Sequence, residues 1–145
     1  MSLTKTKQPF LALSKICLNN WHYIDQKVLS FNDGINFFTG HSGSGKSTVI
    51  DAMQIVLYAN TDGRGFFNKA AADDSDRNLI EYLRGMVAVG EKDEVTYLRN
   101  KNFSTTIVLE FTQTESDEKE CLGVVFDVDL SLIHISEPTR HAQIS

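Results

Sequence analysis

The stretch Phe37-Phe38-Thr39-Gly40-His41-Ser42-Gly43-Ser44-Gly45-Lys46-Ser47-Thr48 decides the fold of this 145-residue chain. It carries the pattern Gly-x4-Gly-Lys-Ser between a short apolar run, Ile35–Gly40, and an apolar-periodic segment, Ser47–Ala59. Glycines let successive backbone N–H groups point inward as a nest, and the positive end of the following helix lies beneath them. The stretch therefore predicts a phosphate-binding P-loop between a strand and a helix.

The pattern assigns roles to the residues of this loop. We expect Lys46 to reach the β- and γ-phosphates of ATP or GTP and the Ser47 hydroxyl to be a ligand of Mg²⁺. No catalytic residue is assigned. The expected nucleotide-binding residues are Gly40, His41, Ser42, Gly43, Ser44, Gly45, Lys46, Ser47 and Thr48.

Strand patterns lie upstream of the loop. The apolar-rich segments Phe10–Leu18 and Lys27–Phe31 predict two strands, and Ile35–Gly40 predicts a third that runs into the loop. An Asn-Asp-Gly turn at 32–34 separates the second strand from the third. Three short strands are therefore expected before the P-loop.

Helices and further strands are predicted downstream. Ser47–Ala59 predicts a helix whose apolar residues at three- and four-residue spacing share one face: Val49, Ile50, Met53, Val56 and Leu57. A second helix, Arg77–Val87, is expected to be capped by Asp76 and to end in the region of Gly85 and Gly90. Three strand candidates follow, the last two flanking a polar hairpin loop: Glu94–Arg99, Phe103–Gln113 and Glu120–Asp129.

Composition sets the broad class. The chain is 41% apolar and 23% charged, as in a globular domain with a real core. No apolar run could cross a bilayer and no secretion signal is visible, so we expect a cytoplasmic protein without a membrane partner. The net charge of −5 disfavours unaided coating of nucleic acid. Cys17 and Cys121 form no metal-ligand pattern and are expected to be reduced, partly buried thiols.

The layout separates the classes of P-loop protein. Small nucleotide kinases usually carry the loop on their first strand, whereas three strands are predicted before it here. Flanking antiparallel strands suit an ABC-type ATPase, in which a β-subdomain lies beside the nucleotide base. An ABC transporter subunit would offer a metal-contacting glutamine after the loop lysine, yet none occurs between Gln54 and Gln113. We therefore expect an α/β P-loop NTPase fold, the first lobe of an ABC-type head with an antiparallel β-subdomain.

Two longer stretches carry a family resemblance. FNDGINFFTGHSGSGKSTVIDAMQIVLY (31–58) and GRGFFNKAAADDSDRNLIEYLRG (63–85) resemble the N-terminal head segment of SMC-like bacterial ATPases. The nearest type is the JetC component of Wadjet plasmid-defence systems, with SbcC and MukB more distant. The resemblance extends over about Leu13 to Asp129.

The resemblance implies a function for a larger protein. Such proteins have a head split between the two chain ends, separated by a coiled coil and a hinge. Two heads enclose two ATP molecules with Mg²⁺, as in a homodimer, and act on DNA with kleisin-like and accessory subunits. The implied roles are plasmid defence, chromosome partitioning or repair. Because the signature motif, Walker B pair and heptads are absent here, we expect this chain alone to be an inactive fragment.

The last residues are expected to lie outside the lobe. LSLIHISEPTR (130–140) resembles the translation of a sequencing-library adapter, and HAQIS (141–145) resembles the index read beyond it. The expected division is therefore 1–129 for the lobe of the head and 130–145 for a non-native tail.

Several side chains have both a structural and a functional interpretation. Trp21, His22 and Tyr23 either pack in the β-subdomain or face an adenine ring. Arg64 is either a solvated loop residue or a contact for phosphate or DNA, and His41 is expected to be exposed. Asp73, Asp74 and Asp76 cluster like a metal site but are expected to form a solvated loop, and Arg77 and Arg84 are expected to be helix-surface charges. Gln113 lies too near a hairpin turn to be the metal-contacting glutamine.

Three other classes stay open at this stage. One is a stand-alone P-loop kinase or GTPase, which would need a base or lid arginines after the loop. Another is an ABC transporter nucleotide-binding subunit. The third is a non-catalytic module with a degenerate P-loop, which the intact Lys46-Ser47 pair disfavours.

Overall fold

The computed structural model describes residues 8–41, 45–58, 75–89 and 95–132, without the side chains of 75–78, 88, 89 and 132. Over these ranges each element follows from local pattern or from a turn residue. In chain order they are β1 (Leu11–Trp21), β2 (Ile24–Ser30), α1 (Lys46–Tyr58), α2 (Ser75–Arg84), β3 (Met86–Val89), β4 (Val95–Tyr97), β5 (Phe103–Gln113), β6 (Lys119–Val128) and a 3-10 helix (Leu130–Leu132).

The larger sheet in the described residues is antiparallel, with strand order β2-β1-β5-β6. Its central strand β5 pairs with β1, where Leu109 lies opposite Ile16, and with β6 on the other side. Alternate residues of β5, Thr105, Ile107 and Leu109, are buried on one face. This confirms the half-buried strand that strict alternation predicts. Strands β3 and β4 pair in antiparallel fashion in a second, two-stranded sheet.

Helix α1 packs against the buried face of the sheet, but not with the whole predicted stripe. Its buried residues are Val49, Ala52, Ile55 and Val56. Ile50 and Leu57, predicted to share the buried face, are exposed in the described structure. They lie on the adjacent side of the helix, because successive residues are rotated by about 100° and the sheet covers only one stripe. That prediction was therefore wrong for these two residues.

Helix α2 ends at Arg84, three residues before the predicted end at Val87. Gly85 follows with φ +71°, and its N–H donates to the carbonyls of Glu81 (3.1 Å) and Tyr82 (3.2 Å). A glycine in the left-handed conformation is a common helix terminator, since it avoids the steric cost of a Cβ atom. The chain therefore turns directly into β3, which contains Val87.

The run Ile35–Gly40 is not a strand, contrary to prediction. Its turn does form: Gly34 has φ +85°, and Asn32 and Asn36 exchange two hydrogen bonds of 2.7 and 3.0 Å. Beyond the turn, Ile35 and Phe37 are 76% and 84% exposed. A short apolar run before a P-loop is typical of a strand buried in a parallel sheet, and the described residues supply no parallel neighbour. Among residues 8–41, two strands rather than three therefore precede the loop.

The end of the described chain touches the core. Leu130, the first residue of the predicted tail, is buried, and its N–H donates to Asn102 Oδ1 at 2.9 Å. Residues 133–145, which hold most of that tail, lie outside the described residues. The division at residue 129 stays a prediction. Within the described ranges, no helix combines the length and the apolar character that crossing a bilayer requires.

Candidate functional site

The N-terminus of α1 presents backbone donors at the end of the glycine loop. Gly45 has φ +94°, and the first helical bond runs from Val49 N–H to the Gly45 carbonyl at 3.1 Å. The amides of Lys46, Ser47 and Thr48 precede that bond, so they have no acceptor inside the helix. Such amides, together with the positive end of the helix dipole, favour an anion at this point.

The side chains of the loop face the same region. Lys46 folds back so that its Nζ donates to the Gly40 carbonyl at the other end of the loop. Ser47 and His41 are exposed, as predicted for His41. Ser42, Gly43 and Ser44, all predicted phosphate contacts, lie outside the described residues. The described part of the loop thus holds an ammonium group, a hydroxyl group and free amides close together.

Trp21 joins the sheet to the P-loop helix. Its ring is completely buried, and its Nε1–H donates to the Thr48 carbonyl at 2.8 Å. The ring also packs against Tyr82 of α2, with ring centroids 5.0 Å apart. The structural interpretation is therefore correct for Trp21, because its buried ring cannot face a base.

His22 and Tyr23 have a different environment, since they border an open cleft between the β1–β2 turn and the P-loop. The cleft has a volume of about 880 Å³. That volume lies within the range of small-molecule and cofactor sites. One end is aromatic and apolar, and the other consists of the P-loop. The described lining residues are His22, Tyr23, Ile24, Lys27, Leu29, Phe38, Thr39, Gly45, Lys46, Ser47, Thr48 and Val49.

The ring of His22 is held in a fixed orientation. It stacks on Tyr82 at 4.0 Å between centroids with planes 7° apart, and Nδ1 lies 2.9 Å from the Tyr82 carbonyl. A carbonyl only accepts hydrogen bonds, so Nδ1 carries the proton. Burial lowers the pKa of His22, the Tyr82 carbonyl partly opposes this, and the Arg99 guanidinium lowers it further. Burial therefore favours the neutral form of the ring.

Tyr82 also links α2 to α1. Its hydroxyl donates to Asp51 Oδ2 at 3.2 Å. Burial raises the pKa of Asp51 despite the hydrogen bond from Tyr82, which lowers it. Burial and the neighbouring Asp51 charge also raise the pKa of Tyr82 well above its ordinary range. The aromatic residues Trp21, Tyr82 and His22 thus form one packed series from the core to the cleft.

The other charged and polar residues that the sequence singled out have different surroundings in the structure. Gln113 ends β5 beside the hairpin turn, where its amide donates to the Glu118 carbonyl, as expected for a turn residue. Arg84 is not a simple surface charge, because its guanidinium lies 3.8 Å above the Tyr97 ring. Arg64 and the aspartates at 73 and 74 lie outside the described residues, and the side chains of Asp76 and Arg77 are not described.

No separate metal centre appears in the described ranges, where no cluster of three or more His, Cys, Asp or Glu side chains occurs. Cys17 and Cys121 are both free thiols, and Cys17 is partly buried, as expected. The expected partial burial of Cys121 is wrong, because it lies on the exposed part of the edge strand β6.

Sequence reasoning missed three residues that shape the cleft. Tyr82 was counted only as part of a helix, Phe38 only as part of a strand, and Arg99 only as a strand end. Arg99 is buried and binds the carbonyls of His22 (2.6 Å) and Ile24 (3.1 Å). No local pattern marks it, since these two carbonyls lie 77 and 75 residues away along the chain.

The sequence is similar to those of known P-loop proteins. Residues 13–74 match the model of the P-loop containing region of AAA domains. The chain is 26% identical over 137 residues to a DNA double-strand break repair Rad50 ATPase of Saccharolobus solfataricus, covering 88% of this chain and 15% of the relative. It is 24% identical over 145 residues to a Rad50 ATPase of Thermoplasma volcanium, covering 93% and 16%.

The chain therefore spans about one sixth of the length of these relatives. Neither comparison bears on the JetC subgroup, which stays a prediction. Taken with the geometry, the comparisons confirm an α/β P-loop fold of the kind found in the first lobe of an ABC-type ATPase head, and the sequence is similar to P-loop ATPases of the Rad50 and SMC type.

Proposed function

We propose that this chain is the nucleotide-binding lobe of an SMC-like ATPase head that binds ATP together with Mg²⁺. The observation that carries the proposal is the two-ended cleft, with aromatic side chains at one end and the P-loop at the other. A nucleotide has the same polarity, because a flat base and a polyanionic tail are joined through a ribose.

The phosphate end fits a triphosphate by its donors. The amides of Lys46, Ser47 and Thr48 point out of the helix end, and the Lys46 ammonium already binds a loop carbonyl that a phosphate oxygen would replace as acceptor. The Ser47 hydroxyl is exposed and available as a metal ligand. When bound, Mg²⁺ supplies positive charge that bridges and neutralises phosphate oxygens.

The base end fits a planar ring by stacking. Tyr23 is exposed at the cleft while its hydroxyl donates to the Met86 carbonyl, so its orientation is fixed. The neighbouring His22 is stacked, and burial favours its neutral form. Stacking on aromatic side chains contributes about 1–3 kcal/mol per base in nucleic-acid complexes. We assign the adenine wall to His22 and Tyr23.

The rest of the head would complete this lobe. The exposed apolar side chains of Ile35, Phe37 and Ile50 suit burial against further elements of the parent protein. In this proposal residues 1–129 form the lobe, residues 130–145 lie outside it, and a second head closes over the nucleotide.

The parent protein would act in a particular biological setting. We place the parent protein in the cytoplasm, with a coiled coil, kleisin-like and accessory subunits, and DNA reached through the assembled complex. The resemblance to JetC favours plasmid defence over chromosome partitioning. The relatives' names specify DNA double-strand break repair for those proteins.

The main test is Mg–ATP binding by the intact protein that contains this chain. Lys46→Ala should weaken binding at least tenfold, since a hydrogen bond from a charged donor contributes about 1.5–3 kcal/mol. Lys119→Ala is the matched control, because Lys119 pairs with Glu110 beside the β5–β6 hairpin and does not line the cleft. Equal affinities for wild type and Lys46→Ala would refute the proposed function.

The 145-residue chain alone should bind ATP weakly or not at all and show no turnover, because half of each composite site comes from another head. Steady ATP hydrolysis by the isolated chain, lost on Lys46→Ala, would contradict that expectation. It would favour the stand-alone kinase or GTPase class.

A further inference from the structure

Arg99 lies outside the P-loop and does not line the cleft, yet it binds the turn that forms the aromatic end. Its Nη1 donates to the carbonyls of His22 (2.6 Å) and Leu83 (2.7 Å). Its Nη2 donates to the Ile24 carbonyl (3.1 Å) and to Asp25 Oδ1 (3.3 Å). One buried guanidinium therefore holds both sides of the β1–β2 turn against the C-terminal end of α2.

The end of α2 gains its missing partners from the same contacts. The carbonyls of the last helical turn have no N–H partner within the helix. The Leu83 carbonyl accepts from the Arg99 side chain, and the Arg84 carbonyl accepts from the Arg99 backbone at 3.1 Å. The Tyr82 carbonyl accepts from His22. A positive charge at a helix C-terminus is also favourable to the helix dipole.

The turn needs such external support because its backbone is strained. Asn20 and His22 have φ values of 52° and 50°, in the left-handed region that costs an L-residue about 1 kcal/mol or more. Strained residues persist where surrounding contacts determine them, and they occur often at ligand sites. Here the Thr105 hydroxyl binds the Asn20 carbonyl and Arg99 binds the His22 carbonyl.

Close packing at Gly85 adds to the restraint. A Cβ atom at this position would lie 2.9 Å from the His22 carbonyl oxygen, so only glycine permits the approach. The Gly85 carbonyl in turn accepts from Leu98 N–H at 2.8 Å, which places Arg99 directly beneath the turn.

From this arrangement we propose that Arg99 is a positioning residue for base recognition: it holds the turn that presents His22 and Tyr23 to the cleft. This inference rests on the proposed function. Arg99 does not itself line the cleft, and its hydrogen bonds go to the turn and to α2 rather than to the described P-loop residues, so its effect is specific to the base end. Losing Arg99 lets the turn relax and the aromatic wall move, while the phosphate end stays intact.

The planar guanidinium is required by the geometry of its four acceptors. Two nitrogens diverge to reach three carbonyls and one carboxylate, whereas a lysine ammonium is one point donor. Lysine keeps the ion pair with Asp25 and one or two of the carbonyl bonds. Arg99→Lys is therefore expected to rescue part of what Arg99→Met loses.

The experiment compares two ligands that share a phosphate chain but differ in the base. Affinities for Mg–ATP and for Mg–tripolyphosphate are measured in the intact protein, for wild type, Arg99→Met, Arg99→Lys and the ion-pair control Lys119→Met. Thermal unfolding of each variant shows the temperature range in which it is folded. Arg99→Met should bind Mg–ATP about tenfold more weakly, the loss of one stacked base, with tripolyphosphate affinity within about twofold of wild type.

The outcomes separate the two proposals. A wild-type protein that binds neither ligand would overturn the proposed function and this inference with it. If wild type binds both ligands and the folded Arg99 variants lose both equally or neither, the positioning role alone is refuted. If Arg99→Met does not fold, the ratio of the two affinities in Arg99→Lys decides, since a purely structural arginine would leave that ratio unchanged.

Discussion

The main sheet and the segment that leads into the P-loop differ in how far the described residues pair their backbone groups and bury their apolar side chains. Strands β1 and β5 have neighbours on both sides, and their inward residues, such as Ile16 and Ile107, are completely buried. The segment Ile35–Gly40 has a comparably apolar sequence, yet it is unpaired in the described structure and Ile35 is 76% exposed. Similar composition therefore gives different structure, because burial depends on what the rest of the chain supplies.

The two regions therefore differ in structural role. The sheet is a rigid support with its own core, and it carries the aromatic turn at the end of β1. The P-loop and the exposed side of α1 form a surface that is ready to be covered. Trp21 links the sheet to α1 through the Thr48 carbonyl, and Tyr82 links α2 to α1 through Asp51. Each can be tested by substitution.

The largest expected effect distinguishes two isoleucines. Ile107→Ala should lower the free energy of unfolding by about 2–5 kcal/mol, because it removes a buried side chain and leaves a cavity. Ile35→Ala should change it by less than about 0.5 kcal/mol, as at exposed sites. Both values come from denaturant unfolding of the chain. Equal losses would show that Ile35 is packed and that the comparison is wrong.

A smaller effect is expected for the bond between the sheet and the P-loop helix. Trp21→Phe removes the donor to the Thr48 carbonyl and part of a buried ring, which should cost about 1–3 kcal/mol. Circular dichroism follows unfolding, since Trp21 is the sole tryptophan. Hydrogen exchange should quicken in the first turns of α1. Unchanged exchange there, despite lower stability, would mean that α1 does not depend on this link.

The bond between Tyr82 and Asp51 should contribute about 0.5–1.5 kcal/mol of coupling, the usual range for one hydrogen bond. A double-mutant cycle with Tyr82→Phe, Asp51→Ala and the double variant isolates this coupling from packing losses. Additive effects of the two substitutions would refute the proposed contribution of this bond.

The smallest expected effect is a pH dependence from His22. Its pKa is lowered in the folded chain by burial, so the unfolded chain binds the proton more readily. Stability is therefore fully present above the ordinary pKa of about 6.5 and declines as pH falls through it toward the folded value. We expect a loss of a few tenths of a kcal/mol, because solvent screens the half-buried ring.

The matched variant for this effect is His22→Asn, which keeps a hydrogen-bonding side chain but does not titrate. The unfolding free energy of wild type minus that of His22→Asn should decrease as the pH is lowered from 7.5 to 5.5, a range chosen around the histidine pKa. If this quantity instead increases as the pH falls, the pKa of His22 is not lowered by folding.

The sequence alone predicted the features whose causes are local. Alternation over Phe103–Gln113 predicted β5 at its observed bounds, because period two leaves only one face to bury. The Gly-x4-Gly-Lys-Ser pattern predicted the start of α1 within one residue, because glycines and an N-terminal helix end are required together. The region of Gly85 and Gly90 was predicted to end α2, but the predicted last residue, Val87, lies three residues beyond the observed end at Arg84.

The tertiary structure decided what depends on distant partners. Whether Trp21, His22 or Tyr23 faces the cleft follows from α2 and from Arg99, which lies 77 residues beyond His22 in the sequence. Ile35–Gly40 is not a strand because no strand among the described residues pairs with it, although its apolar sequence is typical of a strand. Local pattern thus determined the loop that can bind phosphates. Only long-range packing determined the aromatic wall opposite it, since a side chain's environment is set by whatever the fold brings against it.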